Sequence, residues 1–167
     1  MTLPAQFKKE NSENIFIYHY VEEMIADYTK YVKEILDDPD ITVAELPFLI
    51  RIRFSEKTTQ KELVELFRVS EGYTAKLLRK FEDKGYLFRC EDPTNRRKKI
   101  VELTSRGIEK TDELIKLING WEIKVTKNMS DEEVKTLKYL LFKVSTIFLQ
   151  ELFAPATDVQ DNLYNGA

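Results

Sequence analysis

The chain has little of the chemistry that enzymes and metal sites draw on. Among 167 residues there is one cysteine, Cys90, and one histidine, His19. One cysteine excludes an internal disulfide, and one Cys with one His is too small a ligand set for a zinc site. His19 falls in a helical pattern near the start and Cys90 in a strand-like one near the middle. Nothing in the sequence brings them together as base and nucleophile, and Cys90 reads as a small packing residue. Glycine and proline are scarce, with 5 of each, which argues against a long-looped chain. No glycine-rich run suited to cradling phosphate is present. No apolar run approaches the roughly 18 residues needed to span a bilayer, and the N-terminus has no signal-peptide pattern. The expectation is a cytoplasmic protein without membrane association, cofactor, metal or enzymatic activity.

What is there is apolar and charged in the proportions of a helical domain: 43% hydrophobic and 33% charged residues. The net charge of −3 is unevenly spread. Residues 51–110 hold 16 Lys+Arg against 10 Asp+Glu, which leaves the rest of the chain at −9. A basic middle between acidic flanks suits a protein that turns one face to phosphates. Chance clustering on a solvated surface is the other reading that charge alone allows.

Apolar residues recur at helical spacing from 13 to 38, which predicts one long helix after a loose polar lead-in at 1–12. Asp37, Asp38 and Pro39 end it. Thr42 with Glu45 three residues on has the form of a capping box for a second helix reaching about Phe54, with Pro47 delaying or bending its start. A short helix over 60–67 follows, then the turn Arg68-Val69-Ser70, then a helix capped by Ser70 and stopped at Gly85. Residues 86–90 and 98–103 alternate as strands around a turn at 91–95. Two long helices, about 105–127 and 131–153, and a polar tail at 154–167 complete the chain.

Short helix, three-residue turn, capped helix and basic hairpin make a helix-turn-helix with a wing. The second helix of such a unit fits the major groove of duplex DNA. Its inward face is expected to be Thr74, Leu77, Leu78 and Phe81. The opposite face then presents Tyr73, Lys76 and Lys80, with Gly72 and Arg79 beside them. Gly72 on an exposed first turn would let backbone approach a duplex closely. Lys76 could reach a guanine edge or a phosphate, and Tyr73 a thymine methyl or a phosphate. Lys80, one turn on, is expected at the backbone. In the hairpin, Arg96, Arg97, Lys98 and Lys99 are four adjacent cations, whose mutual repulsion a polyanion would relieve. An arginine at a wing tip can enter the minor groove.

Residues 59–107 resemble the winged core of the MarR family of transcriptional regulators. The resemblance rests on the Leu63/Phe67 helix and on Phe81-Glu82-Asp83-Lys84-Gly85-Tyr86-Leu87. It rests equally on the wing Asp92-Pro93-x-x-Arg96-Arg97 and on Leu103-Thr104-x-x-Gly107. The long flanking helices match the family plan in order and length. The resemblance implies a mainly α fold with a small β-hairpin wing, flanked by long N- and C-terminal dimerisation helices. The expected parts are 1–38 for dimerisation, 39–104 for duplex DNA, 105–153 for dimerisation again, and the tail at 154–167. It further implies a homodimer repressing its target from a pseudo-palindromic operator and released by a small aromatic or lipophilic effector. Thr59, Gln60 and Ser70 join the residues above as expected DNA contacts. His19, Tyr28 and Tyr31, in an unusually aromatic first helix, are candidates for the effector pocket, although aromatic residues there also serve core and dimer packing. The family wing usually carries an acidic residue two positions before the minor-groove arginine. Here that arginine is Arg97 and the position holds Asn95, so Asn95 or Asp92 would support it. A winged-helix module that docks on protein and does not bind DNA specifically is the alternative.

Overall fold

The structure, a computed structural model, describes residues 7–55, 57–93 and 95–153, with backbone alone at 96, 97 and 147–153. The expected tail at 154–167 lies outside the described residues. The chain divides into two compact units, Met1–Ile123 and Lys124–Ala167.

The first unit opens with a 3-10 turn at Lys9–Asn14, and helix α1 follows at Ile17–Ile35. The single helix expected from residue 13 is therefore broken. Ile15 and Phe16 are extended, and the segment before them is rich in Asn, Ser and Glu. Short polar side chains bond locally and favour turns over helix, as Asn14 does in donating its side-chain amide to Asn11 Oδ1 at 3.1 Å. Helix α2, Leu46–Arg53, starts one turn after Thr42. Pro47 sits in its first turn, where a missing N–H costs nothing. Thr42 and Glu45 form the preceding turn instead, with the Thr42 N–H donating to the Glu45 carboxylate at 3.0 Å.

Strand β1 (Thr58–Thr59), helices α3 (Gln60–Phe67) and α4 (Glu71–Asp83), strands β2 (Leu87–Asp92) and β3 (Asn95–Leu103), and helix α5 (Ser105–Thr126) follow in order. The sheet is antiparallel, in the order β1-β3-β2. Thr59 pairs with Ile100, and Cys90 pairs with Ile100 from the other side. The wing is thus three strands where the sequence indicates two, because a two-residue strand has no periodicity to read. Its long strand starts at Asn95, not at 98, so the turn is tighter than 91–95.

The core gathers Leu49 and Ile52 of α2, Leu63 of α3, Leu77, Leu78 and Phe81 of α4, Val101 of β3 and Leu114 of α5, with Val32 entering from α1. Full burial of such a side chain contributes about 1.5–3 kcal/mol. Thr74 and Thr111, also buried, donate their hydroxyls to the Ser70 and Ile108 carbonyls, so neither is left unsatisfied.

One junction sets how the pieces meet. Helix α4 ends in a Schellman motif: Gly85 N–H bonds Glu82 O at 2.8 Å, and Tyr86 N–H bonds Phe81 O at 2.9 Å. Gly85 takes the required left-handed conformation at φ 70°. Thr104, just before α5, then binds this exit twice, with its N–H on Tyr86 O at 3.0 Å and its hydroxyl on Gly85 O at 2.6 Å. The same hydroxyl oxygen caps α5 by accepting from Gly107 N–H at 3.0 Å. A Cβ on Gly107 would lie 1.8 Å from the Tyr86 carbonyl oxygen.

In the second unit helix α6, Asp131–Phe153, begins on a capping box. Ser130 N–H donates to Glu133, and Glu133 N–H to the Ser130 hydroxyl oxygen. Tyr139, Leu140, Leu141 and Phe142 are exposed on it.

We expect Gly107→Ala to cost about 3 kcal/mol or more, since backbone faces the new methyl and cannot retreat. Gly120→Ala should cost less, because its Cβ would press on the end of a side chain, the Tyr31 hydroxyl at 2.6 Å, and not on backbone. Urea unfolding of both variants checks the difference; equal losses would mean the junction is softer than its geometry.

Candidate nucleic-acid interface

Thr59 caps α3 in a complete capping box with Glu62. The chain then turns through Arg68, whose backbone is left-handed at φ 52°. A non-glycine residue there carries about 1–2 kcal/mol of steric cost, so packing of α3 on α4 holds the turn. Ser70 caps α4, its hydroxyl oxygen accepting from Tyr73 N–H at 3.2 Å.

Thr74, Leu77, Leu78 and Phe81 are all buried, which fixes the rotation of α4. At about 100° per residue, the face opposite them is centred on Gly72, Lys76 and Arg79, all exposed. The expected face, centred on Tyr73, Lys76 and Lys80, is corrected by roughly a quarter-turn at its two ends. Tyr73, 41% exposed, leans its ring edge toward Phe48 of α2 with centroids 6.2 Å apart. Lys80 does not project freely: its ammonium is 2.7 Å from the Glu45 carboxylate. Burial would raise the Glu45 pKa, but the hydrogen bonds from Lys80 and Thr42 outweigh it and hold the carboxyl below its usual range. Lys84 is bound in the same way by Asp40, and Lys110 of α5 by Asp38 and Glu113. Around Gly72 the space is open: a Cβ there would meet nothing within 4 Å. Nothing among the described residues therefore demands glycine at this position.

Lys98 and Lys99 are exposed on β3. With Thr59, Gln60, Lys61 and Glu62 they line a groove of about 570 Å³ between the wing and the start of α3. The expected contacts Thr59, Gln60 and Lys98 thus converge. Arg96 and Arg97 follow Asn95 in β3, next to the turn, and only their backbone is described.

Sequence reasoning missed Arg89. It lies on β2 and grips Glu82 of α4 with two nitrogens, at 2.9 and 2.5 Å, while a third reaches the Gln60 side-chain oxygen at 3.5 Å. The wing is thereby braced to both helices of the helix-turn-helix. A signal was available: Arg89 is two residues from Leu87 on a strand, hence on the same, inward face, where a cation needs a carboxylate. Arg89 holds Glu82 below the usual carboxylate range, against the opposing effect of partial burial.

The three aromatic candidates do not form one site within the chain. His19 sits beside Phe16, Tyr18 and Glu22 on the exposed start of α1. It is nine residues, or about 13 Å of helix, from Tyr28. Tyr28 lines two apolar grooves. One, about 690 Å³, includes Ile25, Lys33, Leu36, Ile41 and Val43; the other, about 430 Å³, includes Ile50, Phe54, Leu66 and Ile118. Burial raises the Tyr28 pKa. Its ring meets Trp121 edge-on at 5.2 Å, and the Trp121 indole N–H donates to Asp27 at 3.0 Å. Tyr31 lines a third, more polar groove with Asp38, Lys110 and Glu113. No group of His, Cys, Asp and Glu suited to a metal ion occurs among the described residues, and no described helix is long and apolar enough to cross a membrane.

This arrangement can be set beside known proteins. The sequence model of the MarR family matches residues 40–98, from the loop before α2 into the wing. The HTH-type transcriptional regulator BilQ of Clostridium symbiosum is 30% identical over 132 residues, spanning 79% of this chain and 91% of that protein. The chain belongs to the MarR family. The multiple antibiotic resistance protein MarR of Escherichia coli K12 is 32% identical over 117 residues, or 69% of this chain and 81% of MarR. A crystal structure of MarR superposes with a TM-score of 0.73 at 25% identity, covering 83% of this chain and 94% of its own. A cysteine-to-serine mutant of E. coli MarR complexed with operator DNA superposes with a TM-score of 0.63 at 28% identity, covering 82% and 99%. This MarR-family chain is a winged helix-turn-helix protein of transcription regulation.

Replacing Arg89 by Met should cost about 1.5–3 kcal/mol at neutral pH, the range for hydrogen bonds to charged groups. A depressed folded-state pKa at Glu82 means stability that is present above the ordinary carboxylate pKa, about 4.3, and lost as pH falls through the lower folded value. Urea unfolding at pH 7 and pH 3 should therefore show the wild type losing more on acidification than Arg89→Met. Equal losses would place the acid-sensitive pair elsewhere.

Proposed function

We propose that this MarR-family regulator is a repressor that binds a pseudo-palindromic operator in duplex DNA as a homodimer and is released by a small aromatic or lipophilic effector. The observation that carries the DNA reading is the outermost face of α4. Gly72 stands there with open space around it, between the groups Lys76 and Arg79, on a helix whose rotation the core fixes. The MarR relative complexed with operator DNA has the same fold. In this reading the backbone at Gly72 closes on the duplex, Lys76 reads a base edge, and Ser70, Tyr73 and Arg79 lie along the contact. Thr59, Gln60 and Lys98 follow the phosphates across the wing groove, and Arg96 and Arg97 extend to the minor groove.

The homodimer reading is supported by apolar side chains left in solvent. On α1, Ile17, Tyr18, Val21, Met24 and Ile25 are 41–70% exposed; separately, in the second unit, Tyr139 to Phe142 of α6 are exposed. An apolar stripe such as that on α1 marks an association site. The effector reading is supported by the grooves flanking Tyr28. They are apolar, and Lys33 in the larger one suits an acidic aromatic molecule.

Duplexes selected from a random pool test the reading as a whole. The recovered site should have two-fold symmetry, and sedimentation at micromolar concentration should give a dimer; a monomer, or no enriched site, would overturn it. On that site Gly72→Ala should keep the fold, gain up to about 1 kcal/mol of stability from helix propensity, and still bind DNA more weakly. Lys76→Ala should cost roughly 1–3 kcal/mol at the selected site and relax preference at one position. An equal loss on every duplex would make Lys76 a phosphate contact.

A further inference from the structure

The cations of α4 and its C-cap divide into two sets. Lys76 and Arg79 are exposed, whereas Lys80 and Lys84, on the flank toward α2, each hold a carboxylate of the segment that connects α1 to α2. The Lys80 pair is the better built. Glu45 lies at the N-terminus of α2, its side chain 14% exposed, and it accepts the Thr42 N–H as well as the Lys80 ammonium. Lys80 keeps 34% of its side chain in solvent, at the edge of the face that Gly72 and Lys76 present. Its charge is thus within reach of an incoming polyanion yet already neutralised.

Resting on the reading of α4 as the duplex-facing helix, we propose that Glu45 stands in for a DNA phosphate on Lys80. It is a positioning residue that limits the sequence-independent part of DNA affinity. A lysine that meets a phosphate displaces counterions from DNA, and each such contact steepens log K against log salt by about 0.9. A lysine already paired within the protein must first leave its carboxylate, so it adds little to binding or to the salt slope. Asp40 does the same for Lys84 one turn on. Phosphate contacts by cations of α4 are thereby confined to the outermost face, where Arg79 lies and Lys76 reads bases. The balance between base readout and plain charge attraction shifts toward base readout.

The test is a double-mutant cycle on the full chain, with Glu45→Gln and Lys80→Ala, titrated against the selected operator and random duplex from 50 to 300 mM salt. Glutamine keeps an acceptor for the Thr42 N–H and removes the charge. Glu45→Gln should tighten binding on both duplexes alike, by about threefold or more at the lowest salt, and steepen the salt slope by about 0.9. In the Lys80→Ala background the same substitution should gain less than about twofold. Equal gains in both backgrounds would reduce Glu45 to a long-range repulsive charge and overturn the proposal. An unchanged slope in Glu45→Gln would overturn it too. Thermal unfolding of each variant separates lost fold from lost contact, and Glu45→Ala supplies a second neutral variant. Duplex binding by the wild type, and its weakening in Gly72→Ala, test the reading beneath. If those hold and the cycle is additive, the proposal alone fails.

Discussion

The winged unit hangs on the approach of the Tyr86 carbonyl to Gly107, where backbone occupies the place of a side chain. Thr104 bonds both residues of the α4 exit and caps α5 with one hydroxyl oxygen. Three directions are set at once: where α4 points, where β2 departs and where α5 begins. Because Phe81 and Leu78 are wholly buried a turn earlier, the rotation of α4 follows from the same anchor. The wing gains a second tie in Arg89, whose hold on Glu82 joins sheet to helix through a charged pair. The outer face of α4 and the wing groove are therefore parts of one rigid frame.

Electrostatics inside that frame alter what the basic middle of the chain means. A surplus of cations between 51 and 110 is visible in the sequence, but many are committed internally. Lys80, Lys84, Arg89 and Lys110 each meet a carboxylate. Others stay exposed, among them Lys76 and Arg79 on the outer face of α4 and Lys98 and Lys99 on the wing. The Arg89 pair also ties the wing to α4. The lysine pairs keep part of the ammonium side chain in solvent, where an ion pair contributes less to stability, and their chief effect is to sort charge.

Most of the fold was legible in the sequence because its signals are local. Ser70 and Gly85 bracket α4, and Thr74, Leu77, Leu78 and Phe81 declare its inner face. What was illegible depends on contacts distant along the chain. Strand β1 exists only because β3 offers it an edge. The face of α4 came out a quarter-turn off at Tyr73 and Lys80, since spacing along one helix does not reveal that Phe48 and Glu45 wait on the neighbouring one. His19 joined Tyr28 and Tyr31 through shared composition, whereas the length of α1 separates them. Arg89 was overlooked because its partners lie on α4 and α3, 7 and 29 residues away.

The lone tryptophan has a use beyond packing. Trp121 touches Tyr28 at the wall shared by the two apolar grooves and hydrogen-bonds Asp27 on the same helix. Indole emission responds to nearby polarity and to the state of its N–H bond, and with one Trp in the chain the signal has a single source. The chain therefore carries a native optical gauge beside the residue that lines both apolar grooves. Compounds can be surveyed by the colour and intensity of that emission, with no label attached and no DNA present.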